Sequence, residues 1–285
     1  MNTQQKEPTN SVHARRAVAY IVLVIISFLC LFWFVILFVN ATRSHSELTK
    51  GFTLIPSTFL PKNWDGLMHG TLPVVNGMIN SFVVSTCAAV LCTYFSTMTA
   101  YAIHAYDFKL KGFFFTFILA IMMIPTQVTS LGFLQLIQKM KLEDNLLPLI
   151  IPSIAAPVTF FYMKQYMDST LSLSLVEAAR IDGAGEFKIF NRIVLPLMKP
   201  AIAVQAIFTF VSSWNNYFIP ALILHKDKIK TLPVLIAQLR SADFLKFDMG
   251  QVYMMIAFSI FPVIVVYLIL SQYIVAGVAL GGVKE

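Results

Sequence analysis

"LVEAARIDGAGEFKIFNRIVLPLMKP", residues 175–200, gathers Glu177, Arg180, Asp182, Glu186, Lys188, Arg192 and Lys199 between two long uncharged segments. Leu171, Leu175, Ala178 and Asp182 fall close to one helical face, and Glu177-Ala178-Ala179-Arg180 are good helix formers, so a short first helix is expected. Gly183 and Gly185 follow where a helix favours a left-handed terminal residue, which lets the chain turn without a Cβ clash. Beyond the turn, Phe187, Phe190, Val194 and Leu197 recur at helical spacing, with Lys188 and Arg192 on the opposite side. Pro196 and Pro200 interrupt this second helix. Two readings of the hairpin stand side by side. It is a plain surface connection between membrane spans, or its low-relief Ala178-Ala179 surface, flanked by Glu177 and Asp182, inserts into a groove on another protein.

The surrounding chain is built for a bilayer. Its 285 residues are 58% hydrophobic and 12% charged, far from the roughly 45–50% and 25% of soluble domains, and its mean hydropathy is +0.75. Uncharged runs long enough to cross, which takes about 20 residues, occupy 17–41, 77–103, 113–137, 146–163, 201–224 and 251–276. The expectation is an all-α membrane protein with six transmembrane helices. A segment 1–16 precedes a single membrane domain, 17–285, and the helix-turn-helix loop covers about 168–199. The first run is too long for the apolar core of a cleaved signal peptide and lacks a small-residue cleavage site. Arg15-Arg16 before span one and Lys109/Lys111 after span two place both termini in the cytoplasm. Lys226, Lys228, Lys230, Arg240 and Lys246 in the 225–250 loop nearly balance that bias.

Several function classes are excluded by what the spans lack. No Asp, Glu, Lys or Arg lies within them, so there is no intramembrane proton or ion relay. There is no Gly-Lys dipeptide to build a phosphate-binding loop, and no H-E-x-x-H or G-x-S-x-G motif. No catalytic site, bound cofactor, metal site or nucleic-acid surface is expected, and energy for uphill transport must come from another chain. Cys30, Cys87 and Cys92 fall inside spans and read as small apolar residues.

Uncharged polar residues and prolines do interrupt the spans: Pro125, Thr126, Gln127, Thr129 and Ser130 in the third, Pro148, Pro152 and Pro157 in the fourth, "SSWNNYFIP" (212–220) in the fifth. Prolines free backbone carbonyls that neighbours or cavity water must satisfy. Amides such as Asn215 and Asn216 are costly against lipid. These groups either bond helix to helix or line a polar translocation path made of Gln127, Trp214, Asn215, Asn216 and Tyr217. Residues 80–102, rich in small and hydroxyl side chains, read as a packing face.

The segment "EAARIDGAGEFKIFNRIVLPLMKP" (177–200) resembles the EAA loop of permease subunits of binding-protein-dependent ABC sugar importers, of the maltose-importer type. Further similarities run along the chain: "NSFVVS" (80–85), "AYAIHAYDFKLKG" (100–112), "MMIPTQV" (122–128), "FTFVSSWNNYFIPAL" (208–222), "KTLPVLIAQL" (230–239) and "QYIVAGVALGGVKE" (272–285). The resemblance implies that Glu177, Ala178, Ala179, Asp182 and Gly183 dock in a cleft of a cytoplasmic ATPase. It implies a second permease chain as heterodimer partner, two ATPase subunits carrying ATP and Mg, and an extracytoplasmic sugar-binding protein reached through the 40–76 and 225–250 loops. The tail 277–285 resembles a segment that approaches the ATPase pair. The implied activity is import of a carbohydrate, of oligosaccharide type, across the bacterial cytoplasmic membrane by alternating access. Import of a non-sugar solute, or a stand-alone facilitator or channel, is the alternative.

Overall fold

The computed structural model describes residues 9–241 and 248–281. The expected segments 1–16, 225–250 and 277–285 lie partly outside them. Every regular element among the described residues is helical. Two compact units form, one from the chain up to Gly70 together with the segment ending at Phe258, the other from Thr71–Ser241 and the segment from Ser259 onward.

In the first unit the helix Thr9–Ala41 leads into a capped turn, where the Ser44 side chain accepts from the Glu47 N–H and Glu47 accepts from the Ser44 N–H. Arg43 is buried there, and its guanidinium donates to the carbonyls of Glu47 (2.6 Å) and Gly51 (3.2 Å). A buried charge is tolerable because these carbonyls replace its water.

The second unit is organised around Val74–Ala105. Its buried positions include Ala88, Ala89, Cys92, Ser96 and Ala100, small residues that let Lys199–Trp214 and Pro157–Thr170 approach closely, and Gly77, which lies against Leu232 and Leu235. Thr93 and Thr97 donate back to the carbonyls of Ala89 (2.8 Å) and Thr93 (2.7 Å), so their hydroxyls need no partner outside the helix. At one end Asn80 donates to the carbonyls of Lys228 and Lys230, and Ser81 accepts from the Leu232 N–H.

Six uninterrupted spans are not found among the described residues. Four helices among the described residues are long and apolar enough to cross: Arg15–Ala41, Val74–Ala105, Leu147–Thr170 and Met249–Tyr273. A fifth is obtained only by joining Glu186–Leu197 to Lys199–Trp214, which meet at 80°. The expected run 113–137 is two helices, Lys111–Ile121 and Thr126–Lys139. Short i to i−3 bonds from Met122, Met123 and Ile124 close the first, and Pro125 then extends (ψ 129°). A proline there has no N–H to give and pushes its predecessor out of helical geometry. The expected run 201–224 stops at Trp214 and resumes as Phe218–Ile223.

Candidate functional site

The hairpin forms at 173–197 with the turn the glycines foretell. Leu173–Ile181 ends at Asp182, and Gly183 takes φ +78°. The Ala184 N–H bonds the Ala179 carbonyl and the Gly183 N–H bonds the Arg180 carbonyl, both at 3.0 Å, the paired closure of a glycine-terminated helix. Gly185 is different. At φ −70°, ψ 152° it caps the next helix in ordinary extended geometry.

In the first helix Val176 and Ala179 turn inward, whereas Leu175 and Ala178 are exposed. Of the apolar stripe expected on the second helix, Phe190 and Val194 are buried while Phe187 and Leu197 are exposed. Ile189 and Met198 are buried with the first pair, and Phe187 is 73% exposed. A π turn over Phe190–Val194, closed by the Leu195 N–H on the Phe190 carbonyl, changes the repeat. It also relieves the clash that Pro196 would impose on a regular helix at Arg192.

The inner face packs into one apolar cluster with Tyr101, Phe160, Met163 and Met167 of the bundle. Burial of Val176, Ile189, Phe190 and Val194 contributes about 1.5–3 kcal/mol each, and this outweighs the polar ties. Those ties give direction. Arg180 Nε donates to Glu186 Oε1 (2.6 Å), Tyr101 OH donates to Glu186 Oε2 (2.9 Å), and the Arg180 guanidinium lies 5.3 Å from the centre of the Tyr106 ring. The Arg180 contact foremost holds the Glu186 carboxyl down at about 2, and the same contact raises Arg180. His104 Nδ1 meets Asp168 (2.8 Å) and its Nε2 meets the Leu171 carbonyl (3.0 Å), at the entry to the hairpin. Glu186 and Tyr101 are 85 positions apart, so no local pattern could have paired them.

The outer face carries four of the five expected coupling residues, and Ala179 instead belongs to the inner face. Glu177, Ala178, Asp182 and Gly183 are exposed and Ala179 is 8% exposed. Ile181, 86% exposed, and Phe187 stand beside them. Phe187 reads in sequence as part of the apolar stripe and Ile181 gives no signal of its own, because an apolar residue in an amphipathic helix is assigned to the core by default.

A second site lies between the helices of the same unit. A cavity of about 850 Å³ is lined by Gln127, Thr159, Gln205, Thr209, Ser212 and Asn216 among others, with Phe208 and Phe218 adding ring faces. A groove of about 600 Å³ is instead apolar, walled by Val90, Ile202, Phe210, Val266 and Leu270. Of the expected path residues, Gln127 and Asn216 line the polar cavity. Trp214 is 3% exposed and stacks on Phe210 (5.6 Å between ring centres, 17° between planes); Asn215 and Tyr217 are exposed at the helix break. None of these three is among the cavity's lining residues. Gln205 was missed, although its spacing to Thr209 and Ser212 keeps the three near one face of Lys199–Trp214.

Residues 93–279 match the family described as binding-protein-dependent transport system inner membrane component. The chain is 35% identical over 265 residues to the arabinooligosaccharides transport system permease protein AraQ of Halalkalibacterium halodurans, covering 91% of this chain and 93% of that one. It is 34% identical to the Bacillus subtilis AraQ, covering 91% and 92%. It is 31% identical over 264 residues to the sn-glycerol-3-phosphate transport system permease protein UgpE of Yersinia pestis, covering 90% and 94%. A bacterial ABC transporter involved in the import of the acidic polysaccharide alginate shares the fold, with TM-score 0.78 at 23% identity, covering 95% of this chain and 99% of that one. The chain belongs to the binding-protein-dependent transport system inner membrane component family, the permease subunits of ABC importers.

Proposed function

We propose that this chain is one half of the permease pair of an ATP-driven carbohydrate importer, and that the 173–197 hairpin is its EAA loop, docked in a cytoplasmic ATPase. The observation that carries the reading is the two-sided hairpin. Its inner face is packed and hydrogen-bonded to the bundle, while its outer face leaves Ile181 and Phe187 uncovered beside the acids Glu177 and Asp182. An apolar anchor with a charged rim suits insertion into a groove. Force on that face reaches Val74–Ala105 through Tyr101 and Phe190.

On this reading six crossings are completed by the proline-broken pair Lys111–Ile121 and Thr126–Lys139 and by Lys199–Trp214, with both termini cytoplasmic. A second permease chain would cover helix Arg15–Ala41, whose most apolar stretch has no residue buried within this chain. Two ATPases would hold ATP and Mg, and an extracytoplasmic binding protein would deliver solute. The arabinooligosaccharide and sn-glycerol-3-phosphate relatives support a carbohydrate-related solute. The polar cavity, with Gln127 and Asn216 in its wall, is the path. Trp214, Asn215 and Tyr217 are assigned to the helix break beside it.

Glu177→Lys reverses a charge at the docking rim. In the assembled complex it abolishes ATP-driven uptake while the protein still inserts in the membrane. Wild-type uptake by this variant with an intact ATPase would remove Glu177 from the coupling surface.

A further inference from the structure

We infer that the polar cavity accepts an uncharged, hydroxyl-rich solute and rejects anionic ones, and that Gln205 is the specificity-determining side chain in this chain's wall. The inference rests on the importer reading above. Gln205 is 7% exposed, lines the cavity and makes no side-chain hydrogen bond among the described residues. Among the described residues, the sealed side-chain polar atoms without a partner are Ser85 Oγ, Ser96 Oγ and Thr231 Oγ1, and the Gln205 amide is not one of them. The free end of Gln205 therefore meets the cavity.

An unpartnered buried amide is costly, so its place in an otherwise apolar run, Ala201–Ile207, calls for a partner that enters and leaves. A carboxamide offers two donors and an acceptor, the complement of adjacent hydroxyls, each of which both donates and accepts. Thr209 and Ser212 continue the same helix face over about 10 Å at 1.5 Å per residue, and Thr159 lies across the cavity. The Phe208 and Phe218 rings are largely exposed and match the apolar C–H faces of sugar rings.

Charge sets the exclusion. Among the described residues that line the cavity there is no Asp, Glu, Lys, Arg or His. A carboxylate or phosphate ester stripped of water there would find amides and hydroxyls but no cation on this wall, and desolvating an unpaired ion is far costlier than desolvating a hydroxyl.

The test uses the purified complex of this chain with its permease partner and ATPases. Arabinotriose, xylotriose and maltotriose serve as neutral probes, trigalacturonate and glycerol 3-phosphate as anionic ones. Binding is measured by saturation-transfer NMR without the binding protein, so that the membrane cavity alone selects. ATP-driven uptake of the same probes is measured with the binding protein restored. Wild type is expected to bind at least one neutral probe and neither anion. Gln205→Leu should weaken that binding about tenfold, the loss of one hydrogen bond to a buried site. Gln205→Asn, which keeps the amide and shortens it, serves should the leucine variant fail to assemble, and it too should weaken binding. An anionic probe bound as tightly as the best neutral one, or unchanged affinity in assembled Gln205→Leu or Gln205→Asn, overturns the inference. ATP-driven uptake of no probe at all would overturn the importer reading beneath it.

Discussion

Gly183 and Gly185 sit two residues apart in one turn, yet alanine should be costly at the first and nearly neutral at the second. Gly183 has φ +78° and no heavy atom within 4 Å of where a Cβ would stand. The cost of Gly183→Ala is therefore conformational, not steric, at about 1–2 kcal/mol for an L-residue in the left-handed region. Gly185 has equally open surroundings but φ −70°. There alanine gains about 0.4–1 kcal/mol by restricting the unfolded chain and loses about 0.5 kcal/mol as a poor helix cap, so the net is near zero. Hydrogen exchange on the assembled complex reads this directly, since local opening governs exchange. Amides at 182–184, whose bonds close the turn, should exchange about 5–30-fold faster in Gly183→Ala. They should be almost unchanged in Gly185→Ala. Gly183→Asn should fall between, because asparagine tolerates left-handed geometry. ATP-coupled uptake should follow the same order. Equal exchange in the two alanine variants would refute the assignment of the turn to Gly183.

The two alanines of the motif should also separate. Ala179→Leu overpacks the cluster beneath the hairpin, costing about 1–3 kcal/mol, and should lower the amount of folded protein in the membrane. Ala178→Leu, on the exposed face, should leave that amount unchanged and weaken ATPase co-purification. In the polar tie, Arg180 and Glu186 side chains are 34% and 42% exposed, so their ion pair alone is worth about 0.2–1 kcal/mol. A double-mutant cycle of Arg180→Ala with Glu186→Gln should return a coupling of that size, and less when repeated in Tyr101→Phe. Glu186 is held at about 2 against an ordinary 4.5, first by Arg180, so its contribution is full above the unfolded value and fades only as pH falls through the folded one. The stability difference between wild type and Glu186→Gln should therefore be flat from about pH 8 to pH 5. A decline beginning near pH 6 would contradict it.

Length and polarity made the long helices legible in sequence. The first, second, fourth and sixth apolar runs each correspond to a helix able to cross, because an uninterrupted apolar stretch has few other uses. The third and fifth runs failed at Pro125 and at Asn215–Tyr217. Apolar composition reports solvent, not backbone continuity, and one proline outweighs many helix formers locally. The turn at Gly183 was legible because left-handed geometry has few acceptable residues. The buried stripe of the second helix keeps Phe190 and Val194 but passes to Met198 instead of Leu197, because the π turn at Phe190–Val194 departs from the 3.6 repeat. Glu186 and Tyr101 meet only through the fold. Gln205 was in view, but a single amide among alanines and isoleucines carries no signal until a cavity stands beside it.

Proteoliposome transport tests the central claim most directly. Vesicles are prepared with this chain and its permease partner, with or without the ATPases, and loaded binding protein is added outside. Uptake is predicted to require both the ATPases and ATP, and to be lost with Glu177→Lys. Equal uptake by this chain alone in lipid, indifferent to ATP, would contradict the account.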